Sequence, residues 1–223
     1  MKINSLIFAV LALCNGAIAQ SFENLDFEQS TIVSYGIADV PGWTEYNGWN
    51  DVNYSGGMTV IYNNNPLDDS GVSLVGTNYS TPAIQGIYSI LLLGGTPFAE
   101  NSTTGSAIGQ TAQIPQNAQS ITYWGLSENA LTITFDGHLL SFNALNATAN
   151  YTVFGADISA YAGQTGELLF TAPWQGEPGQ SGFEEDGMVD NIQFSSSPIP
   201  EPNEFSLVGL GALLLRFRRW HSS

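Results

Sequence analysis

Short runs in which hydrophobic and polar residues alternate fill most of this chain. Between residues 20 and 199 the runs are rich in aromatic and β-branched side chains, and Gly, Asn, Asp and Pro separate them. A period of two is typical of strands with one buried face. The pattern predicts strands at Phe22–Glu28, Thr31–Ile37, Met58–Tyr62, Gly71–Val75, Ile87–Leu93, Ala107–Ile114, Ser120–Leu126, Leu131–Phe135, His138–Phe142, Tyr151–Asp157, Glu167–Thr171 and Met188–Phe194.

Two local signals sharpen this prediction. Asp136-Gly137 stands between two predicted strands, and a two-residue type I′ turn needs positive φ at both positions. Ile87–Leu93 is apolar on both faces, which predicts a central strand. Only the two ends of the chain depart from strand-like patterning. We therefore expect an all-β fold, a β-sandwich, with residues 20–194 as one domain and 195–199 as a linker.

The first nineteen residues are typical of a secretory signal peptide. A charged start (Met1-Lys2) precedes an apolar stretch, and Ala17-Ile18-Ala19 offers a small-x-small site for signal peptidase. Cys14, the only cysteine, lies inside this segment. A lipoprotein anchor at Cys14 is the alternative, but Leu13 stands where a small residue is wanted. After cleavage behind Ala19 the body has no disulfide.

The last twenty-four residues have a different character. Pro200-Glu201-Pro202 is followed by the apolar run 205–215 and then by Arg216, Arg218 and Arg219. An apolar helix ended by cations is typical of a short membrane-spanning stop-transfer segment. Eleven helical residues cover about 16 Å of a hydrocarbon core of about 30 Å, so we expect a transient anchor or a processing signal. An amphipathic helix packed on the body is the alternative.

The order of these elements resembles the PEP-CTERM sorting tail of Gram-negative bacterial proteins. The resemblance implies recognition by an exosortase and a location in the cell envelope or extracellular matrix. It assigns the sorting motif to residues 200–223, with these matching positions: Pro200, Glu201, Pro202, Arg216, Arg218 and Arg219.

Charge is distributed very unevenly. All four basic residues lie in the terminal segments, whereas eighteen of the 20 acidic residues, all but Glu201 and Glu204, lie between residues 20 and 199. A body without Lys or Arg cannot neutralise phosphates, which argues against nucleic-acid partners and leaves membrane contact to the C-terminal segment. The same composition excludes lysine Schiff bases and arginine clamps.

Several landmarks, in order, resemble the galactose-binding-like jelly roll of many carbohydrate-binding modules. They are Asn24-Leu25-Asp26-Phe27-Glu28, Pro41-Gly42-Trp43, Gly86-Ile87-Tyr88-Ser89, the run 110–115 (QTAQIP), the run 157–163 (DISAYAG) and Asp190-Asn191-Ile192-Gln193-Phe194. The resemblance implies a jelly-roll β-sandwich and a non-catalytic carbohydrate-binding or structural module associated with extracellular polysaccharide.

A metal site is the strongest local prediction. Period two puts Asp190 on the same strand face as Ile192 and Phe194, which should point inward, and a buried carboxylate needs a partner. The jelly-roll resemblance implies a structural Ca²⁺ held by Glu28 and Asp190 with backbone carbonyls, a donor set of hard oxygens. The alternative is that backbone amides hold Asp190.

A glycan site is predicted from aromatic residues beside polar ones. The segment 43–54 (WTEYNGWNDVNY) has no long apolar run, so we expect a loop that exposes Tyr46, Trp49 and Asp51. Trp174 is a second ligand-binding candidate. Trp43, in the P-G-W landmark, and Trp124, in a predicted strand, are expected in the core.

No catalytic residue is predicted. Glycoside hydrolysis needs two carboxylates, one with a raised pKa, and no motif singles out a pair among so many acids. His138 is the only histidine of the body and adjoins the predicted turn. A secreted glycan-active hydrolase with a Glu/Asp pair remains the alternative function.

Overall fold

Strands dominate the computed structural model, which describes residues 20–34, 36–46, 60–63, 71–94, 105–126, 131–172 and 186–199. A 3-10 turn, Ser159–Tyr161, lies between the twelfth and thirteenth strands. The strands are β1 Thr31–Ser34, β2 Ile37–Asp39, β3 Thr44–Tyr46, β4 Val60–Tyr62, β5 Gly71–Gly76, β6 Tyr88–Leu93, β7 Ala107–Gln113, β8 Ser120–Gly125, β9 Thr132–Phe135, β10 His138–Leu139, β11 Asn143–Ala147, β12 Thr152–Asp157, β13 Thr165–Thr171 and β14 Gly187–Ser195.

The strands form two sheets. One runs β1-β2-β4-β5-β6-β14-β8-β12-β11 and the other β10-β9-β13-β7-β3. The pairings between the described strands are antiparallel except that β4 runs parallel to β5. One hydrophobic core joins the inner faces: Ile90 and Ile121 come from the first sheet, and Ile108 and Phe170 from the second. The expected all-β, two-sheet architecture is confirmed. No described helix is long and apolar enough to cross a bilayer.

The turn and central-strand predictions hold. Asp136 and Gly137 have φ of 48° and 77°, as a type I′ turn requires, and they connect β9 to β10. The apolar run predicted as a central strand forms β6, which pairs with β5 on one side and β14 on the other. Its residues from Ser89 to Leu93 are all buried.

The opening segment is where the strand prediction is wrong. Residues 22–28 form irregular backbone followed by turns and not a strand, because Asn24 and Phe27 adopt positive φ (49° and 59°). This backbone is uncommon for residues other than Gly and is costly for a bulky side chain. It turns the ring of Phe27 into the core, where the residue is fully buried. Burial of a phenylalanine offsets the backbone cost by about 2–3 kcal/mol.

Hydrogen bonds tie this opening segment to the P-G-W landmark. Asn24 donates from its side-chain amide to the Pro41 carbonyl (3.2 Å), and its backbone carbonyl accepts from the Trp43 indole N–H (3.0 Å). The rings of Phe27 and Trp43 pack with centroids 5.4 Å apart. Trp43 is buried, as expected. The two sequence landmarks are therefore one packed unit, and their residues serve the core.

Smaller differences occur at the sheet edges. The predicted strand Thr31–Ile37 is a hairpin of β1 and β2. Two edge strands, β3 and β11, were not predicted; β3 has only three residues, and the five residues of β11 are all exposed, so neither shows a clear burial alternation. Ser195, expected as the first linker residue, ends β14, and the Ser197 carbonyl accepts a hydrogen bond from the Ser120 hydroxyl (2.8 Å).

Trp124 is not a core residue. It lies on β8 between the buried Tyr123 and Gly125, and strand alternation turns it to the outer face of the nine-stranded sheet. There it is half-buried and stacks on Tyr151, with ring centroids 4.2 Å apart and planes 5° from parallel. The prediction of a core position was wrong because a large apolar side chain in a strand need not face the core. Here the Tyr151 ring partly covers Trp124 on the outer face.

Candidate functional site

A β-bulge decides where the Asp190 side chain points. The pairing of β14 with β8 shifts register between Asp190 and Gln193, and Asn191 adopts φ of 45°. Asp190 therefore lies opposite Trp124 on the outer face of the sheet, whereas Ile192 packs in the main core. The prediction that Asp190 shares a face with Ile192 and Phe194 is wrong, because the bulge interrupts the period of two. The expected burial is observed, since only 1% of Asp190 is exposed.

The segment that leads into β6 covers this carboxylate. Its Oδ2 atom accepts hydrogen bonds from the Gln85 backbone N–H (3.0 Å) and the Ser89 hydroxyl (2.7 Å). Ser89 Oγ in turn accepts from the Ile84 N–H (2.9 Å), and Asp190 Oδ1 accepts from the Asn191 N–H (2.6 Å). A small second core of Val75, Leu91, Leu93 and Met188 lies on the same face.

Glu28 holds the next turn of the same segment. Its Oε1 atom accepts from the backbone N–H groups of Ile87 (2.8 Å) and Tyr88 (3.1 Å). Gly86 has φ of 63°, and a Cβ there would lie against the Glu28 carboxylate. Only glycine combines this backbone conformation with this close approach. The two predicted metal ligands thus bind three backbone amides of one short segment, those of Gln85, Ile87 and Tyr88.

Electrostatics at this cluster disfavour the ionised form of Asp190. Burial raises the pKa of its carboxyl to about 6, against the lowering effect of the hydrogen bonds from Ser89, Gln85 and Asn191. The Glu28 carboxylate raises it further. Because the body contains no Lys or Arg, no side-chain cation from the body offsets these two charges. A divalent cation is the kind of ligand that would relieve the repulsion.

The donor set fits calcium only in part. Glu28 and Asp190 supply carboxylate oxygens, but amide hydrogen bonds already occupy Oε1 of Glu28 and both oxygens of Asp190. Within the described ranges, no group of three or more His, Cys, Asp or Glu side chains is arranged to hold a metal. The amide contacts that were the alternative to a metal are therefore observed, and the Ca²⁺ site stays a prediction.

Tyr46 is the described member of the predicted glycan site. It ends β3, at the edge of the five-stranded sheet, and 40% of it is exposed. Its hydroxyl donates a hydrogen bond of 2.6 Å to Glu167 Oε1 on β13. This bond, with smaller contributions from burial and the Glu167 charge, raises the pKa of the phenol. The remaining predicted ligand and sorting residues lie outside the described ranges: Trp49, Asp51, Trp174, Pro200, Glu201, Pro202, Arg216, Arg218 and Arg219.

The residue before Tyr46 is also electrostatically unusual. Glu45 pairs with Ile108 of β7, a core residue, and its carboxyl is half-buried. Burial raises its pKa, and the charge of Asp39 adds to the effect, against a backbone hydrogen bond that lowers it. A carboxyl whose pKa is raised by burial and by the charge of a second carboxylate has a property that acid–base chemistry can use.

Three residues that matter here were missed in the sequence. Ser89 joins Asp190 to the covering segment, Glu167 fixes Tyr46, and Gly109 lies beneath the Glu167 carboxylate. Gly109 interrupts a strand pattern, and an isolated glycine in a strand often marks a close approach, so that signal was readable. Ser89 and Glu167 depend on contacts 101 and 121 residues away and had no local signal.

Comparison with known proteins gives little further guidance. No protein-family model matches the chain, and no curated protein sequence matches it. Among solved structures, the chain is similar to the K2 cleaved adhesin domain of Lys-gingipain, with 10% identity and a TM-score of 0.42, over 79% of this chain and 96% of that one.

A second structure is a glycoside hydrolase family 43 arabinoxylan arabinofuranohydrolase from Bacillus subtilis, solved with cellotetraose. The identity is 14% and the TM-score 0.36, over 65% of this chain, which spans 30% of the hydrolase. Likenesses of this size decide neither the topology nor the activity of the chain.

Proposed function

We propose that this chain is an exported jelly-roll β-sandwich that serves as a non-catalytic carbohydrate-binding or structural module of extracellular polysaccharide. The observation that carries the proposal is Tyr46, an exposed aromatic ring whose hydroxyl is fixed by Glu167 at 2.6 Å. A saccharide stacks its C–H face on an aromatic ring and donates hydrogen bonds from its hydroxyls to a carboxylate. A tyrosine ring fixed beside a carboxylate can therefore bind one. Trp49, Asp51 and Trp174 are proposed as further ligand contacts.

Delivery is assigned to the two terminal segments. Signal peptidase would remove residues 1–19, and an exosortase would recognise the C-terminal tail. The tail positions proposed for recognition are Pro200, Glu201, Pro202, Arg216, Arg218 and Arg219. The mature protein would then lie in the envelope or matrix of a Gram-negative bacterium.

A structural Ca²⁺ at Glu28 and Asp190 belongs to the same proposal. Its support is the pair of carboxylates, one buried and destabilised as an anion, without any Lys or Arg in the body. The ion would hold Asp190 ionised and would fasten the opening segment to β14. Its role is structural, because both carboxylates hold the backbone of residues 85–88.

The test of the binding function is titration calorimetry with neutral oligosaccharides. The purified protein is titrated with cellohexaose, xylohexaose and mannohexaose, once with excess calcium and once with EDTA. Saturable binding to at least one neutral probe is expected. If no neutral probe binds under either condition, the carbohydrate-binding function is wrong and only a structural role in the matrix remains.

A secreted glycan-active hydrolase is the second candidate function, and one observation favours it. Glu45 carries a raised pKa and interacts electrostatically with Asp39, which makes them the Glu/Asp pair to examine. The hydrolase predicts turnover of a polysaccharide panel that Glu45→Gln abolishes. Absence of turnover on every polysaccharide, or turnover that survives the substitution, would count against this pair.

A further inference from the structure

We propose that the outer face of the five-stranded sheet, around Tyr46, Gly109 and Glu167, is a binding surface for a neutral saccharide. This inference rests on the proposed carbohydrate-binding function and gives it a place and a ligand class. Glu167 and Gly109 become binding and positioning residues that the sequence did not single out.

The hydrogen bond between Tyr46 and Glu167 crosses a whole strand. Tyr46 belongs to β3 and Glu167 to β13, and β7 lies between these strands. Strands two positions apart are about 10 Å apart, so both side chains must extend over β7 to meet. The phenol is consequently fixed along the sheet surface, and 40% of Tyr46 is still exposed.

Gly109 of β7 makes this crossing feasible. A Cβ at this position would lie 2.9 Å from Glu167 Oε1 and 3.0 Å from a methyl carbon of Leu169. Both of these side chains therefore occupy the space that any other residue would fill. A glycine in the middle of a strand weakens the sheet, and here it gives room for the carboxylate that holds the ring.

Fixing the ring in advance favours a ligand that stacks on it. A free tyrosine loses rotamer entropy when a ligand orders it, and that loss weakens binding. The hydrogen bond to Glu167 has already removed part of that freedom. The exposed ring then supplies an apolar surface, and Glu167 supplies an acceptor for a hydroxyl.

The polar groups beside the ring are hydroxyls. Register places Thr44 opposite Gly109 and Thr111 opposite Glu167, so both lie on the outer face, and both are exposed. A saccharide can donate to and accept from such hydroxyls. An aromatic ring, a carboxylate and two threonines on one sheet face thus match the mixed edges and faces of a sugar.

Charge selects a neutral ligand over an anionic one. The body has eighteen acidic residues without a Lys or Arg, and Glu167 lies within the surface itself. An acidic polysaccharide would meet repulsion without any body cation to pair with it. A neutral glycan carries no such penalty.

The experiment is calorimetric titration of the purified full-length protein and four variants with cellohexaose, xylohexaose and mannohexaose, with an alginate hexamer as the anionic probe. Tyr46→Ala is expected to raise Kd at least about tenfold through the lost ring contact. Glu167→Gln and Gly109→Ala keep the ring but disturb its support, and increases of about threefold to tenfold are expected. Leu139→Ala, on β10 at the opposite edge of the same sheet and 68% exposed, is the control and should bind like the wild type.

Each outcome decides between clear alternatives. Tenfold weakening in Tyr46→Ala with an unchanged Leu139→Ala supports this surface. Wild-type affinity in Tyr46→Ala, with every variant folded by circular dichroism, overturns the surface but leaves carbohydrate binding elsewhere on the protein intact. Tighter binding of the alginate hexamer than of neutral probes overturns the ligand class. Absence of binding in the wild type removes both this inference and the binding function on which it rests.

Discussion

The buried carboxylate of Asp190 gives the sharpest quantitative prediction, and the perturbation is Asp190→Asn followed across pH. The substitution keeps the side-chain shape and removes the charge. It also replaces one carboxylate oxygen with an NH₂ group. If that group takes the place of Oδ1, it faces the Asn191 N–H, which donates to Oδ1 at 2.6 Å in the wild type, and two donors then repel each other. The free energy of unfolding at a single pH therefore mixes two effects, and the change with pH isolates the ionisation.

The expected magnitude follows from the pKa of Asp190. Its value rises from 3.8 to about 6 on folding, mainly because burial disfavours the anion. A carboxyl that holds its proton more tightly when folded makes the protein less stable as pH rises across that interval. At about 1.4 kcal/mol per unit of pKa shift, the whole titration is worth about 3 kcal/mol, and wild type should lose about 2–2.5 kcal/mol relative to Asp190→Asn between about pH 4 and pH 7.

The assay is urea denaturation of both proteins across this pH range in EDTA. A difference between wild type and variant that stays constant with pH would refute the argument that burial controls this carboxyl. Glu28→Gln serves as a matched check, because removing the neighbouring charge should reduce the loss while leaving the burial effect. In excess calcium the wild type should instead gain stability relative to Asp190→Asn as pH rises, because a bound cation holds the carboxylate ionised. Identical curves of unfolding free energy against pH in calcium and in EDTA would eliminate the proposed Ca²⁺ site.

Three further substitutions and one control test how the fold is held together. Phe27→Ala should lower the free energy of unfolding by about 3–5 kcal/mol in urea melts, because it empties a fully buried site. Ile32→Ala, on the exposed edge, is the control and should change it by less than about 0.5 kcal/mol. Similar losses in the two variants would contradict the role given to the opening segment. Ser89→Ala should cost about 1–3 kcal/mol because it removes a donor from buried Asp190, and a neutral effect in the same melts would show that this contact is dispensable. Gly137→Ala should cost about 1 kcal/mol because its φ is 77°, and an unchanged thermal midpoint would argue against the type I′ turn.

Much of the strand layout could be predicted because apolar or alternating runs are separated by turn residues along the chain. The central strand β6 and the hairpin at Asp136-Gly137 depend on local patterns, and both were predicted. The opening segment was mispredicted because positive φ at Asn24 and Phe27 is imposed by tertiary contacts with Pro41 and Trp43. Local alternation contains no information about such contacts.

The candidate sites were less predictable than the fold. The burial of Asp190 was expected, but its strand face was not, because one bulge residue reverses the alternation. The crossing of β7 by Tyr46 and Glu167 joins residues 121 positions apart, and only the sheet order brings them together. The sequence shows which residue types such a surface can use, but only the strand order and pairing register of the folded sheet show which of them lie side by side.

That this chain is an exported β-sandwich flanked by two targeting segments is tested most directly by intact mass spectrometry of the native protein recovered from its own cells. In protein taken from the envelope or the extracellular fraction, we expect the mass of a chain that begins at Gln20 and ends near Pro200-Glu201-Pro202. Recovery from the cytosol of a chain that still begins at Met1 and ends at Ser223 would contradict it.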